Sequence, residues 1–368
     1  MKGDYIERLS FPVHPVPRSP VAAVVTTGVG VLLLVWIVWS AGPQQIWNGL
    51  VQIGWGLAAI VAIAGLRFAV RAAAWIRCLE PPHTLRFFDA FVAVVCGDAL
   101  GNATPLGPLV SEPAKAAFVR RQVPLAAAFT ALAIENLFYT LSVGAMIAAG
   151  IIALLLRGGL ARELQVAAEA GIVLVVGVYA ISAWALLRRP ALISRAIGAA
   201  GRLLPWAHIE ARLDGIRRLE HDIYTFASRR PDSAALLIAT ELTFHALGVL
   251  EVFLTLWLLS GAAPAVVTSF ILETANRLII VVFKFIPMQQ PGLNEAGTVL
   301  VAQALGLSTG AAGTLAIVRR ARMLFWQLTG TALLVRHGMS ARRILQDREL
   351  NEERRVHQVS TPDDGSTA

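Results

Sequence analysis

Glu112 and Lys115 lie three residues apart in an apolar stretch, just past the run Gly101-Asn102-Ala103-Thr104-Pro105-Leu106-Gly107-Pro108. Glu295 stands in the same relation to Phe285-Ile286-Pro287-Met288-Gln289-Gln290-Pro291-Gly292, with Arg277 and Lys284 shortly before it. A helix that starts after such a break offers free N–H groups and the positive end of its dipole, a site for a carboxylate or a phosphate. Lysine and arginine beside it strengthen the binding of an anion. The glutamates can also serve as N-caps, compete with the anion or exchange protons. At a common shift of 183 positions, Pro108 falls on Pro291, Glu112 on Glu295 and Leu132-Ala133-Ile134 on Leu315-Ala316-Ile317. Paired Pro/Gly breaks in two halves of a membrane protein point to a transport site where the halves meet.

Other charges also lie inside apolar segments. The acids are Asp98, Glu112, Glu135, Glu241, Glu251, Glu273 and Glu295, and the bases are Arg67, Arg71, Lys115, Arg277, Lys284, Arg319, Arg320 and Arg322. One such charge costs about 2.5–3.5 kcal/mol at a helix centre in a bilayer. These side chains therefore have to face one another, water or a ligand, and seven acids against eight bases favour pairing. Arg67 lies one turn from Arg71 on the same face, a basic stripe. Arg71 and Arg322 are near cytoplasmic helix ends, where snorkelling and an inward-facing role are both open. Glu135 and Arg319 both fall near the centres of their helices, so a Glu135–Arg319 or Glu135–Arg320 bridge is expected. Glu241 and His245 share a face at i, i+4 and read as a hydrogen-bonded pair rather than a metal site.

The elements that must hold these residues are membrane helices. The chain has 368 residues, of which 56% are hydrophobic and 15% charged. Its apolar runs approach the roughly 20 residues that cross a bilayer. Spans are expected at 21–41, 56–76, 125–155, 166–187, 234–259 and 310–335, the first uncleaved. The regions 88–120 and 266–306 are each broken near the middle and read as re-entrant hairpins. Broken backbone at that depth needs protein or water around it, which implies a polar cavity.

Arginine and lysine orient the map. Of 32 such residues, 22 fall on one side, only Arg157 and Arg162 on the other, and eight within membrane segments. The basic side is cytoplasmic and holds both termini. The hairpins then open from opposite sides, an inverted repeat. The net charge of +8 speaks for anionic lipid rather than nucleic acid. Residues 1–20 form a cytoplasmic segment, 21–335 the membrane domain and 336–368 a charged, largely disordered tail. The linker 188–230 carries apolar residues every three or four positions. It reads as an amphipathic helix on the inner leaflet or packed on the bundle. Cys78, on a cytoplasmic loop, and Cys96 form no disulfide or zinc pattern. No GxSxG, HExxH, P-loop or post-strand G-x-G-x-x-G is present, so no enzyme and no cofactor are expected.

The stretch from Phe91 to Gly150, with Asn102, Pro105, Gly107, Glu112-Pro113-x-Lys115 and Ile134-Glu135-Asn136, resembles the lysylphosphatidylglycerol synthase transmembrane family, also called flippase-like. So do Ile286-Pro287, Glu295-Ala296-Gly297, Leu305-Gly306-Leu307, Arg319-Arg320 and Trp326-x-x-x-Gly330. Within the family the chain looks most like members associated with hopanoid biosynthesis. The resemblance implies a bacterial inner-membrane protein that moves a lipid or isoprenoid-linked headgroup between leaflets. It implies no chemistry by this region, because the synthases carry their transferase in a separate soluble domain. Glu112, Lys115, Glu295, Arg319 and Arg320 match the family's polar motif positions, whereas Gln289 and Gln290 depart from a plainer proline-glycine turn.

The expected architecture is an all-α polytopic membrane protein, with six transmembrane helices and two inverted re-entrant hairpins around a polar mid-membrane cavity. Its expected site comprises Arg67, Asp98, Asn102, Glu112, Lys115, Glu135, Arg277, Lys284, Glu295, Arg319 and Arg320. The expected partners are a membrane lipid and, in a further reading, lipid-biosynthesis enzymes. The alternatives are a membrane-embedded transferase acting on a polyprenyl or hopanoid lipid, with Glu112 or Glu295 as general base, and a non-transporting partner that recruits enzymes through 188–230.

Overall fold

Prolines and glycines punctuate the chain into helices, three of which, among the described residues, are long and apolar enough to cross a bilayer. The computed structural model describes residues 39, 43–103, 107–158, 162–188, 221–223, 225–283 and 293–336. In chain order the helices are α1 (Pro43–Ile53), α2 (Gly56–Cys78), α3 (Phe87–Ala103), α4 (Gly107–Phe118), α5 (Leu125–Arg157), α6 (Arg162–Arg188), α7 (Pro231–Ser260), α8 (Val266–Phe283), α9 (Leu293–Ala304) and α10 (Thr309–Arg336). No strand occurs among the described residues. The expected first span, the breaks at 104–106 and 284–292, most of the linker and the tail beyond 336 lie outside the described residues.

Local chemistry explains the boundaries. Leu79 leaves α2 in an extended conformation ahead of Glu80-Pro81-Pro82, where the prolines disfavour further helix. Pro231 opens α7 at a position where its missing N–H costs nothing. Gly261 closes the same helix at φ 68°, a left-handed cap that returns its N–H to the Trp257 carbonyl. By length and composition α2, α5 and α7 can each cross a membrane. The three arginines Arg319, Arg320 and Arg322 interrupt the apolar face of α10.

Packing pairs the two halves of the chain. α2 and α7 form the most extensive contact between distant helices. α3 packs on α4 and also on α10, while α8 packs on α9 and also on α5. α4 then returns to α5 and α9 to α10. Exchanging α2–α5 for α7–α10 maps each of these contacts onto another, which agrees with the shift of 183 positions that superimposes Glu112 on Glu295.

The apolar core is divided. One cluster gathers Trp75, Leu79, Val119, Val123, Leu132 and Leu237. Another gathers Leu154, Val252, Leu256, Ile271, Leu305 and Leu315. On α7 the first cluster holds Leu237 and the second begins at Val252, so Glu241, Phe244, His245 and Glu251 fall between them. Large apolar side chains left outward, such as Val173, Leu174 and Ile181 on α6, suit hydrocarbon rather than water.

One expectation changes here, and one of two open readings of the linker is favoured. Cys78 ends α2 and is 1% exposed beside Trp75, because the helix runs past the loop predicted for it. At the end of the linker, Phe226 is 1% exposed and Ile223 packs on the same cluster. Arg230 donates to the Leu79 carbonyl at 2.8 Å. The described end of the linker is thus docked on the bundle, since Phe226 buries its ring against Phe138 at 6.1 Å between centroids.

Candidate functional site

Between the two apolar clusters the helices bring their charges inward. Glu273 of α8 is 3% exposed and meets arginines from three helices. Arg277, one turn on, is 2.9 Å from Oε1. Arg67 of α2 is 3.7 Å from the same oxygen. Arg319 of α10 is 3.3 Å from Oε2, and it also donates to Thr298 Oγ1 at 3.1 Å and the Leu272 carbonyl at 3.3 Å. Glu251 of α7 takes Arg67 at 3.3 Å together with Arg322 of α10. Such pairs hold in a dry interior only because each carboxylate has several donors.

Gly248 makes this approach possible. A Cβ at that position would lie 2.6 Å from Glu273 Oε1, so a side chain there would push the carboxylate away from its present place against α7.

Aromatic rings join the ion pairs. The Arg67 guanidinium carbon is 4.5 Å from the Phe244 centroid, and that of Arg277 is 5.0 Å from it. Arg71 lies 4.0 Å from the Tyr139 centroid. Cations over aromatic faces are attracted by the ring quadrupole, most strongly when desolvated. Arg71 also grips Glu135 of α5 at 2.8 Å and reaches Asn136 Oδ1 at 3.4 Å. Arg277 donates to the Tyr139 hydroxyl at 3.4 Å, which links the two ends of the network.

Among the described residues, Arg67, Arg71, Arg277, Arg319 and Arg322 form ion pairs with three carboxylates, those of Glu135, Glu251 and Glu273. Arg67 Nε is buried with no hydrogen-bond partner among the described residues. An unmade bond on a buried guanidinium is costly, and an anion satisfies it. Asp98 and Glu241 lie within electrostatic reach of Arg71 but form no ion pair with it.

The expected site residues fall into separate groups. Arg67, Arg277 and Arg319 converge on Glu273. Glu135 is bound to Arg71, and Arg320 lies 3.7 Å from Glu295. Around the first chain break, Asp98 accepts from Asn102 at 2.9 Å, and Glu112 pairs with Lys115 at 2.7 Å. Lys284 lies outside the described residues.

The expected bridges are corrected. Glu135 pairs with neither Arg319 nor Arg320, because those arginines turn toward α8 and α9 while α2 presents Arg71 to α5. Arg71 and Arg322 do not snorkel: each ends on a buried glutamate. Sequence reasoning left Glu251, Glu273, Tyr139 and Phe244 out of the site. The i, i+4 pair Glu273–Arg277 on one apolar helix was the available signal. Among the described residues no group of three or more His, Cys, Asp or Glu could hold a metal ion.

A family model described as the lysylphosphatidylglycerol synthase TM region matches residues 21–330. No curated protein and no solved structure matches the chain.

Proposed function

Because this chain belongs to the lysylphosphatidylglycerol synthase transmembrane-region family, we propose that it moves an anionic lipid headgroup between the leaflets of a bacterial inner membrane. The lipid is a phospholipid or an isoprenoid- or hopanoid-linked one, and its tails stay in the hydrocarbon while the headgroup passes through the protein.

One observation carries the reading: three arginines from α2, α8 and α10 meet on Glu273. A phosphate can replace the carboxylate on each guanidinium in turn, exchanging one set of charge-assisted bonds for another of similar strength. A buried site that is already paired avoids the desolvation cost of an empty charged one. The paired breaks before Glu112 and Glu295 would supply helix N-termini on either side of this network.

In this reading six helices span the membrane, α3–α4 and α8–α9 are inverted re-entrant pairs, and both termini are cytoplasmic. The equivalence of contacts between the two halves supports it, because alternating access works by moving one repeat against the other. The protein performs no covalent chemistry on its lipid.

The test is reconstitution into liposomes with fluorescent anionic and neutral lipids, following headgroup access to a membrane-impermeant quencher. Wild-type protein should speed the exchange of anionic lipid, and Glu112→Gln/Glu295→Gln should lose that gain. Folded protein that exchanges no lipid would return the question to a transferase or a non-transporting partner.

A further inference from the structure

Glu241 differs from the other deeply buried glutamates. Glu135, Glu251, Glu273 and Glu295 each have an arginine partner. Glu241 is 4% exposed and, among the described residues, pairs with no basic side chain. Its partner is a hydroxyl: Glu241 Oε2 and Ser142 Oγ are 3.2 Å apart. The same Oγ lies 2.9 Å from His245 Nε2. His245 is 7% exposed, and its Nδ1 is buried with no hydrogen-bond partner among the described residues.

We infer that Glu241, Ser142 and His245 form a proton-binding site that holds one exchangeable proton beside the arginine–glutamate network. The chain of contacts gives such a proton a path. Two hydrogen bonds, carboxyl to hydroxyl and hydroxyl to imidazole, need two protons, and Ser142 owns one. The second comes from one end or the other. If Glu241 is the acid, it donates to Ser142, which donates to His245 Nε2. If His245 carries hydrogen on Nε2, it donates to Ser142, which donates to the carboxylate.

Both arrangements keep both bonds, and a concerted shift connects them. The Glu241 proton passes to Ser142 Oγ as the Ser142 proton passes to Nε2. A neutral acid and a neutral imidazole, with hydrogen on Nδ1, become a carboxylate and an imidazolium. Removing the Nδ1 proton from the latter leaves the unloaded site, a carboxylate beside a neutral ring. The unpartnered Nδ1 is thus the atom at which the proton enters or leaves. The Tyr139 carbonyl, 2.8 Å from Ser142 Oγ, is the competing acceptor that interrupts the path when the hydroxyl turns to it.

The surroundings tie the proton to the network. Arg67 and Arg71 from α2, with Glu135 and Tyr139 from α5, face this corner. Beyond the Phe244 ring, which meets the His245 ring at 5.5 Å, lie Arg277 and Glu273 of α8. Further along α7, Glu251 holds Arg322 of α10. α1, which also packs on α7, contributes no titratable side chain. Loading the site removes one negative charge from the neighbourhood of Arg71, which strengthens the pull of that guanidinium on an anion. Use of the proton in transport rests on the reading above; the proton site itself does not.

Infrared difference spectra of the full-length protein in lipid nanodiscs, recorded across pH steps, read protonated carboxyl groups directly through their C=O stretch. The expected result is a titrating carboxyl band in the wild-type protein that Glu241→Gln removes. Ser142→Ala leaves both ends in place and cuts the connection, so it should retain the band and move its midpoint. A titrating spectrum unchanged by Glu241→Gln overturns the assignment. So does a Ser142→Ala midpoint identical to wild type, the deciding measurement should Glu241→Gln fail to fold. Lipid exchange is not in the readout, so protein that moves no lipid would still decide the question.

Discussion

The Arg67 guanidinium lies 4.5 Å from the centre of the Phe244 ring while one of its nitrogens reaches Glu251 at 3.3 Å and the other reaches Glu273 at 3.7 Å. A single side chain of α2 thereby binds α7 twice and α8 once. Lysine cannot reproduce that fork.

Glu273→Gln should destabilise the protein by about 3–5 kcal/mol, because it leaves Arg67, Arg277 and Arg319 without their common carboxylate. Thermal unfolding in detergent measures the loss. Adding Arg319→Met to the same chain should recover part of it, since the second change removes an uncompensated cation. A double variant as unstable as the sum of the singles would show that the two residues act independently.

Arg319 and Arg320 are neighbours with different roles. Arg319 has three partners on α8 and α9, whereas Arg320 makes a single ion pair, at 3.7 Å, among the described residues. Arg319→Gln should therefore lower the unfolding temperature more than Arg320→Gln, because it strands more partners in the interior. Equal losses would contradict the arrangement.

Much of this arrangement was legible in the amino-acid order, for a physical reason. Hydropathy depends on composition along one segment, so α2, α5 and α7 could be placed. Partner choice depends on how helices rotate against one another, which no single segment records. Glu135 and Arg319 were expected to meet because each sits deep in its helix. The structure turns Glu135 to Arg71 and Arg319 to Glu273, each contributed by a different neighbouring helix. Glu273 itself read as one of seven acids, and only the three-dimensional arrangement shows that three helices converge on it.

Gly248→Val should cost about 1–3 kcal/mol, because even its Cβ would lie 2.6 Å from Glu273 Oε1. The change should also displace Glu273 from Arg67. Gly248→Ala, which adds the Cβ alone, should give a smaller loss of the same kind, and unfolding temperatures of both variants check the order.

Phe226→Ala tests the docking of the linker. Removing a fully buried aromatic ring should cost about 3–5 kcal/mol, since Phe226 is 1% exposed against Phe138. A linker that only rested on the membrane surface would lose little. Chemical denaturation of the wild-type and variant proteins in the same detergent distinguishes the two.

The most direct measurement of the central claim is the rate of leaflet exchange in proteoliposomes, for an anionic and a zwitterionic labelled lipid side by side, with wild-type and Arg277→Gln proteins. Arg277 touches Glu273, Tyr139 and the Phe244 ring, so it stands where the headgroup would be held. The account predicts that wild-type protein exchanges the anionic lipid faster, and that Arg277→Gln, folded, loses that preference by about tenfold, the worth of one charge-assisted bond. Equal rates for both lipids in wild-type protein, or an anionic preference untouched by Arg277→Gln, would contradict it.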